Sequence, residues 1–372
     1  IDGGTINDGT AGGAADAVFG TIDITGLSTI SKASLNYGGV TIASGVVLTL
    51  DNDTVNGTIF TDTASGATIQ IDDGTTLTLT GGATINGGAI NDGTASGTGE
   101  PAIFGGIAVT GPSTISNSFL NNGGVTIASA VTLTLSNDTI TGTTFTDVAS
   151  SNAQGGSGNS LALNESAVSR SSAGTIDING AVTFQSGVEV DGVAMSVARG
   201  ATLDIENPVT GVGATLNDVD VMNSGTIQVD SARPGTTIIS LVLEGGTTVT
   251  DGTLLIHVDF PVNGIEGAVE IGTGGAAFDN VTVDNNNILT IEDGVTLTLG
   301  DNTVISNGNL AIGTVGILDV EQGPGTLSEG FPDATLDGVA VANGGTIEIG
   351  TAGTGDPILL LDDGTVVSSG TL

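Results

Sequence analysis

The chain has 372 residues, among them 62 Gly and only 3% aromatic residues, and 41 acidic residues against four basic ones give a formal charge of −37. Such a charge repels nucleic acid and anionic membrane surfaces, so we expect no nucleic-acid binding, and without an apolar run of about 18 residues we expect no membrane insertion. The hydrophobic fraction of 38% excludes a disordered acidic tail, and the lack of Cys excludes disulfides and thiolate metal sites and is compatible with an exported protein.

The first part of the chain contains a long internal repeat. Residues 19–62 (FGTIDITGLSTISKASLNYGG…) match residues 104–147 (FGGIAVTGPSTISNSFLNNGG…) without a gap, 85 positions apart. Roughly two-thirds of the aligned residues are identical, which is typical of a stacked or tandem architecture. We assign residues 1–149 to a region built on this repeat.

Short segments of alternating apolar and polar residues recur through the chain, and each predicts a short strand with one inward face. They include Val40–Ile42, Leu48–Leu50, Ile69–Ile71, Leu77–Leu79, Leu133–Leu135 and Leu297–Leu299. Asn-Gly, Asp-Gly and Gly-Gly pairs separate them and favour sharp turns, while helical periodicity is absent. With about four strand-and-turn sets per repeat, one circuit takes about 21 residues.

This pattern predicts an all-β fold, a single-stranded right-handed parallel β-helix or β-solenoid. Its narrow core would hold Val, Ile, Leu and Ala, and bulky aromatic side chains would not fit. The alternative is a series of tandem immunoglobulin-like β-sandwiches, because 85 residues also suits that domain. A chain without Trp and with a single Tyr lacks the large buried aromatics of such domains, so the solenoid is favoured.

The second part of the chain uses another repeat. Residues 150–173 include the low-complexity stretch SSNAQGGSGNS and predict an irregular loop or seam. Residues 174–372 then predict a solenoid continuous with the first, in which Ala214–Val229 matches Ala334–Ile349 and residues 277–291 are a looser relative.

Acidic turns are the strongest candidates for a binding site. Hard carboxylate oxygens clustered in turns suit Ca²⁺, and carboxylates stacked at coil spacing would repel each other without a cation. The alternative is diffuse screening by cations, since Asp is also a good turn former. The predicted metal-binding residues, with Ca²⁺ as the only cofactor considered, are Asp51, Asp53, Asp72, Asp73, Asp293, Asp301, Asp362 and Asp363.

The other candidate residues have simpler interpretations. His257 has no second histidine to work with, and Arg170, Arg199 and Arg233 lie in turn-rich segments, so we predict no enzyme activity. Threonines between inward apolar residues should point outward. One interpretation is a flat array of the kind that some solenoids use to bind ice. The other is that Thr suits any outward β position because its side chain is branched. These threonines are Thr41, Thr49, Thr78, Thr134 and Thr298.

The phrases GTIxI, LTL, NDGT and VxVxNxGTIxI resemble the β-strand-repeat regions of large secreted bacterial surface proteins, the repeats-in-toxin-type and autotransporter-like adhesins. The resemblance covers nearly the whole chain, although the calcium-binding nonapeptide GGxGxDxUx is not present as a run. It implies a secreted, cell-surface location and a structural or adhesive rod with roles in adhesion, biofilm matrix or fibre assembly. A polysaccharide-acting or glycan-binding β-helix protein is the alternative.

Two partner hypotheses accompany this interpretation. Ile1 and Leu372 both fall inside repeat-like sequence without a polar cap, so we expect the rod to continue in a longer chain or by end-to-end self-association into a filament. A surface glycan is the other expected partner.

Overall fold

The computed structural model describes residues 1–7, 20–62, 66–92, 104–121, 123–147, 174–185, 187–206, 212–230, 240–256, 258–259, 265–322, 332–350 and 356–372. These residues form strands and turns, and none of them belongs to a helix that could cross a membrane. The chain divides into two compact units. Unit 1 comprises Ile1–Asn152 and Ser172–Thr183, and unit 2 comprises Ala153–Ser171 and Phe184–Leu372.

In unit 1, three strands make one circuit, and strands at the same place in successive circuits pair in parallel to form three sheets, here named faces A, B and C. Face A contains β2 (Thr21–Ile24), β4 (Gly39–Ile42), β7 (Ile59–Asp62), β10 (Thr84–Asn86), β13 (Ser113–Ser116), β16 (Thr132–Ser136) and β19 (Thr175–Ile178). Face B contains the first part of β3 (Ser28–Asn36), β5 (Val47–Asp51), β8 (Thr68–Ile71), β11 (Ala89–Asp92), β14 (Phe119–Asn121) and β17 (Thr139–Thr141). Face C contains β1 (Asp2–Asn7), the end of β3, β6 (Thr54–Asn56), β9 (Thr76–Thr80), β12 (Gly106–Val109), β15 (Gly124–Ile127) and β18 (Thr144–Asp147).

Unit 2 has the same three-strand circuit, with faces named D, E and F; β20 spans Ala181–Gln185. Face D contains β22 (Ala194–Val197), β25 (Asp220–Asn223), β28 (Thr247–Thr250), β33 (Ala276–Asp279), β36 (Thr296–Gly300), β39 (Ile317–Val320) and β42 (Thr346–Ile349). Face E contains β23 (Thr202–Glu206), β26 (Thr226–Asp230), β29 (Thr253–Ile256), β34 (Thr282–Asn285), β37 (Thr303–Ser306), β40 (Ala334–Asp337) and β43 (Leu359–Asp362). Face F contains β21 (Val188–Asp191), β24 (Ala214–Asn217), β27 (Leu241–Glu244), β32 (Ala268–Ile271), β35 (Ile288–Ile291), β38 (Asn309–Ile312), β41 (Ala340–Asn343) and β44 (Val366–Ser368).

The parallel pairing confirms the predicted β-solenoid. Within each unit every described strand pair is parallel, apart from the short antiparallel pair of β30 (Val258–Asp259) and β31 (Ile265–Glu266). Immunoglobulin-like sandwiches are built from antiparallel sheets, so that alternative is wrong.

The core of each unit is filled by the inward side chain of every second strand residue. Leu48, Leu50, Leu77 and Leu79 are almost fully buried and illustrate the pattern. The prediction that aromatic residues would not fit is wrong, because the largest fully buried side chains are Phe60, Phe145, Phe184 and Phe278.

A small neighbour explains how these aromatic rings fit. Phe60 pairs with Val40 on an adjacent coil, and Phe145 pairs in the same way with Val125. Valine has a smaller volume than the leucine or isoleucine found at most inward positions, which leaves room for the ring on that side.

The circuit does not have the constant length of about 21 residues that the sequence predicts. Paired residues are 20 positions apart from Gly39 to Ile59 but 43 positions apart from Thr134 to Asp177. The extra residues lie in sequence between β18 and β19, and β16 still pairs in parallel with β19. Insertions of different lengths are therefore compatible with the stack.

The 85-residue repeat is out of phase with the coil. Phe60 lies on β7 of face A, and its counterpart Phe145 lies on β18 of face C. Leu48 on face B likewise corresponds to Leu133 on face A. Copies of the repeat are therefore separated by a number of strands that is not a multiple of three, and equivalent residues do not stack above each other.

The second repeat behaves in the same way within unit 2. Ala214 begins β24 on face F, whereas its counterpart Ala334 begins β40 on face E. Both repeats therefore shift their residues by one face from copy to copy.

Candidate functional site

A buried aspartate joins successive coils at the same position of both 85-residue copies. The N–H groups of Ala33 and Asp51 donate to Oδ1 and Oδ2 of Asp53 at 2.8 and 2.9 Å. Asp138, its counterpart, accepts equivalent bonds from the N–H groups of Ser118 and Ser136, both at 2.8 Å. Each carboxylate thus links its own turn to the coil before it.

Unit 2 uses a buried asparagine for a similar task. Asn223 accepts a bond from the N–H of Gly225 at 3.0 Å and donates to the carbonyl of Thr253 at 3.1 Å. Its repeat counterpart Asn343 bonds Gly345 and Thr371 in the same way, both at 3.0 Å. The amide is a donor and an acceptor together, so it satisfies two backbone groups without burying a charge.

Rows of uncharged polar side chains cover much of unit 1. Nδ2 of Asn36 donates to Oδ1 of Asn7 at 2.9 Å, and Nδ2 of Asn56 donates to Oδ1 of Asn36 at 3.3 Å. Nδ2 of Asn121 donates to Oδ1 of Asn91 at 3.0 Å. A neighbouring row on face C carries mostly hydroxyl groups and contains Ser34, Thr54, Thr78, Ala108, Thr126 and Thr146.

In unit 2, carboxylates occupy outward strand positions of the kind that uncharged polar residues occupy in unit 1. On face E, Glu206 lies opposite Asp230, and Asp204 lies on the same strand as Glu206. Burial, followed by the charges of Glu206 and Asp230, raises the pKa of Asp204 to about 6. Gln185 donates to Oε2 of Glu206 at 2.7 Å, so an amide partly offsets the charge there.

In each of two further acidic pairs in unit 2, the two carboxyl groups are hydrogen bonded to each other. Burial and the carboxylate of Asp301 raise the pKa of Asp279 to about 6, and the two side chains are hydrogen bonded. Burial and the nearby charge of Glu292 raise the pKa of Glu270, whose side chain is hydrogen bonded to that of Glu292. A hydrogen bond between two carboxyl groups requires one proton, so each pair holds a proton more readily than an isolated acid does.

A third acidic group lies on face D and is more deeply buried. Asp319 and Glu321 are only 6% and 8% exposed, and Glu348 is opposite Asp319 on the next coil. Burial first, and then the charges of Glu321 and Glu348, raise the pKa of Asp319 to about 6.

The predicted metal-binding residues of unit 1 lie in turns with different roles. Asp53 is buried as described above, while Asp51 accepts bonds from the Ser31 hydroxyl at 2.7 Å and from Asn52 at 3.0 Å. Asp72 and Asp73 are exposed, and the carbonyl of Asp72 closes its turn by accepting from Thr75.

The predicted metal-binding residues of unit 2 also lie in separate turns. Oδ1 of Asp293 accepts from the N–H and the hydroxyl of Thr314 at 2.6 and 2.9 Å, and Oδ1 of Asp362 accepts from the N–H of Asp363 at 2.8 Å. Asp301 is the one of this set that forms an acidic pair, with Asp279. In the described part of the chain no group of three or more His, Cys, Asp or Glu residues is arranged to hold a metal ion, and Ca²⁺ binding at the eight predicted residues stays a prediction.

Two of the four basic residues lie among the described residues. Lys32 and Arg199 are exposed, and His257, Arg170 and Arg233, like the whole of the predicted seam at 150–173, lie outside the described residues. Of the predicted outward threonines, Thr298 differs from the others because it is only 2% exposed.

The sequence interpretation missed the acidic pairs because they form between coils. The predicted metal-binding residues are carboxylates that are close in sequence within one turn. Asp279 and Asp301, like Glu270 and Glu292, are a whole circuit apart in sequence. An acidic residue recurring once per circuit was the available signal, but using it requires the coil register, which the unequal circuit lengths conceal.

Replacing Asp53 with Ala should destabilise unit 1, and Asp51→Ala is the matched control because it removes the same charge from the same turn. The first change leaves the N–H groups of Ala33 and Asp51 buried without a partner, at about 1–3 kcal/mol each. The second removes only hydrogen bonds near the surface, and the second copy already carries Ser136 there. Urea unfolding should show a clearly lower free energy of unfolding for Asp53→Ala; equal values for the two variants would contradict the linking role.

The protein should be more stable at pH 5 than at pH 7.5. The folded-state pKa values of Asp138, Asp204 and Asp279 are raised to about 6 from an ordinary value of 3.8. The folded state therefore binds more protons than the unfolded state between about pH 4 and 6, and stability falls as pH rises through that window. Urea midpoints at constant ionic strength would test this, and Asp204→Asn should flatten the pH dependence; a midpoint that rises towards pH 7.5 would contradict it.

Comparison with known proteins gives one sequence relative and several distant structures. The chain is 29% identical over 189 residues to the adhesin BmaC autotransporter of Brucella suis biovar 1, a match to 48% of this chain. It spans 5% of the length of that relative. This similarity confirms the predicted resemblance to autotransporter-like surface proteins, and no family model matches the chain.

Two solved structures align with most of the chain at low TM-scores. A TibC-catalysed, hyperglycosylated TibA fragment is 16% identical with a TM-score of 0.22 and aligns over 100% of this chain and 98% of its own. A tailspike protein mutant of E. coli bacteriophage HK620, in complex with a hexasaccharide, is 12% identical with a TM-score of 0.24 and aligns over 93% of this chain and 59% of its own.

Proposed function

We propose that the chain is a structural and adhesive segment of the extracellular part of a bacterial surface protein, without enzyme activity. The observation that carries this proposal is the similarity to the Brucella suis autotransporter adhesin over 48% of a chain built from repeated coils. A secreted, cell-surface location follows from the same similarity.

The use of polar residues supports a structural role. The buried groups Asp53, Asp138, Asn223 and Asn343 all bond backbone atoms of their own turn and of an adjacent coil. Side chains that are fully engaged in joining coils are unavailable for acid–base chemistry. Repetition of the same contacts in successive copies is what we expect of a segment with a structural role.

The proposed ligand of the adhesive surface is a neutral glycan. The hydroxyl row of face C includes Thr54, Thr78, Thr126 and Thr146, and it runs beside the row that contains Asn36 and Asn56. Hydroxyl and amide groups donate and accept hydrogen bonds without charge, as sugar hydroxyls require. In a protein of charge −37, an uncharged strip also avoids repelling acidic cell-surface polymers.

Beads coated with the chain should adhere to glycan-bearing cells more than beads coated with a globular protein of equal negative charge. Enzymatic removal of cell-surface glycans should abolish the difference. A triple variant with Thr54, Thr78 and Thr126 changed to Glu should lose most of the adhesion, because it places three charges in the hydroxyl row of face C. The buried threonines Thr247 and Thr303 are not changed. Adhesion equal to that of the charge-matched beads would contradict the proposal.

A second assay separates adhesion from the alternative, which is action on a polysaccharide. Incubation of soluble glycans with the chain, followed by measurement of new reducing ends, should show no increase over the control. Sustained release of reducing ends would instead support a polysaccharide-acting enzyme.

A further inference from the structure

Phe119 on face B is the most exposed aromatic side chain in the described part of the chain. It begins β14, points outward and is 57% exposed, whereas Phe60 and Phe145 are buried in the core. Its counterpart in the first copy of the 85-residue repeat is Ser34. The coil therefore does not need an aromatic ring at this position, and a ring left in water contributes little to folding.

Phe119 belongs to an outward column of uncharged side chains, one from each successive coil of face B. From β5 to β17 the column consists of Val47, Thr68, Ala89, Phe119 and Thr139. Neighbouring strands are about 4.8 Å apart, so the apolar atoms of these residues form a strip that crosses the coils. Ala89 and Thr139 are smaller than the ring between them, which therefore stands above its neighbours.

A second uncharged column runs beside the first, two residues further along each strand. It consists of Thr49, Gln70, Asn91, Asn121 and Thr141. Nδ2 of Asn121 donates to Oδ1 of Asn91 at 3.0 Å, and Nε2 of Gln70 donates to the backbone carbonyl of Asn91 at 3.2 Å. A primary amide has two N–H donors and a carbonyl acceptor, so these bonds orient the amides and leave further groups for a ligand.

An apolar column beside an amide column suits an extended chain of pyranose sugars. Each pyranose ring has flat sides covered by C–H groups and a rim of hydroxyl groups. The flat side of a ring can pack on Phe119, while its hydroxyl groups bond the amides of the second column. In an extended β-linked chain each sugar advances by roughly one strand spacing, about 4.8 Å, so each coil can contact one sugar.

We propose that face B, from β8 to β17, binds an unbranched, β-linked, neutral polysaccharide that lies along the two columns, with one sugar ring packed on Phe119. Face B would then give the adhesive function proposed above, on which this inference rests, a second surface apart from the hydroxyl row of face C. Asp51 and Asp72 lie outside both columns, where β5 ends and just after β8. In a chain of charge −37 an uncharged surface favours a neutral polysaccharide over an acidic one.

Sedimentation with microcrystalline cellulose, and with starch granules as the α-linked comparison, tests this surface. In about 150 mM NaCl, cellulose should remove the parent chain from solution and starch should not. Phe119→Ser should weaken binding to cellulose about tenfold, because it removes the ring. This variant should fold, since the first copy carries Ser34 at the same position. Met222→Ser, which removes an apolar side chain that is 68% exposed on face D, should bind like the parent.

The chain contains no Trp, so a tryptophan placed at this position is a reporter without background. Phe119→Trp keeps an aromatic surface for the sugar, and its fluorescence should move to shorter wavelength when cellohexaose is added. Maltohexaose, which is α-linked, should produce no shift. Met222→Trp is the control, and its emission should be unchanged by either sugar.

A variant of face C separates this surface from the one proposed above. The triple variant with Thr54, Thr78 and Thr126 changed to Glu, which should lose adhesion to cells, should still bind cellulose. Glycan-dependent adhesion to cells by a parent chain that does not bind cellulose would overturn the face B site and leave the proposed function standing. Equal binding to cellulose by the parent and Phe119→Ser, or equal binding to starch and cellulose, would also overturn it.

Discussion

Parallel hydrogen bonding between successive coils is the constraint on which the rest of this structure depends. Once Gly39 is paired with Ile59, the register of every other residue on those two strands is set. Each side chain then has a neighbour from the coil before and one from the coil after, at the spacing of strands in a sheet. Inward positions can meet this condition with almost any aliphatic residue. Outward and corner positions must find a neighbour of compatible chemistry.

The two units satisfy that condition in different ways. In unit 1, Asn36 donates to Asn7 and accepts from Asn56, so an amide row satisfies itself without charge. In unit 2, carboxylates meet across coils, as with Glu206 and Asp230 or Asp279 and Asp301, and the result is raised pKa values and shared protons. The first arrangement is indifferent to pH and to cations. The second should make the cohesion of the coils in unit 2 depend on pH.

The fold and most of the core could be predicted from the sequence. Alternation in segments such as Leu48–Leu50 specifies strands directly, and the lack of large aromatics argues correctly against sandwiches. The strand count per circuit could not be predicted, because the repeat in the sequence has its own period and the number of residues per circuit varies. The acidic pairs were missed for the same reason: Glu270 and Glu292 become neighbours only once the register is known. The burial of Phe60 was missed because it depends on a valine one coil away.

The displacement of Phe60 and Phe145 onto different faces has a consequence for how such a protein can evolve. Because equivalent strands of the two copies occupy different faces and still pair in parallel, a duplication needs to preserve whole strands but not whole coils. Length can therefore change in steps of a third of a turn without breaking the stack. Each duplicated segment also turns its outward residues towards a new direction, so one ancestral surface is displayed around the axis and not along a single line.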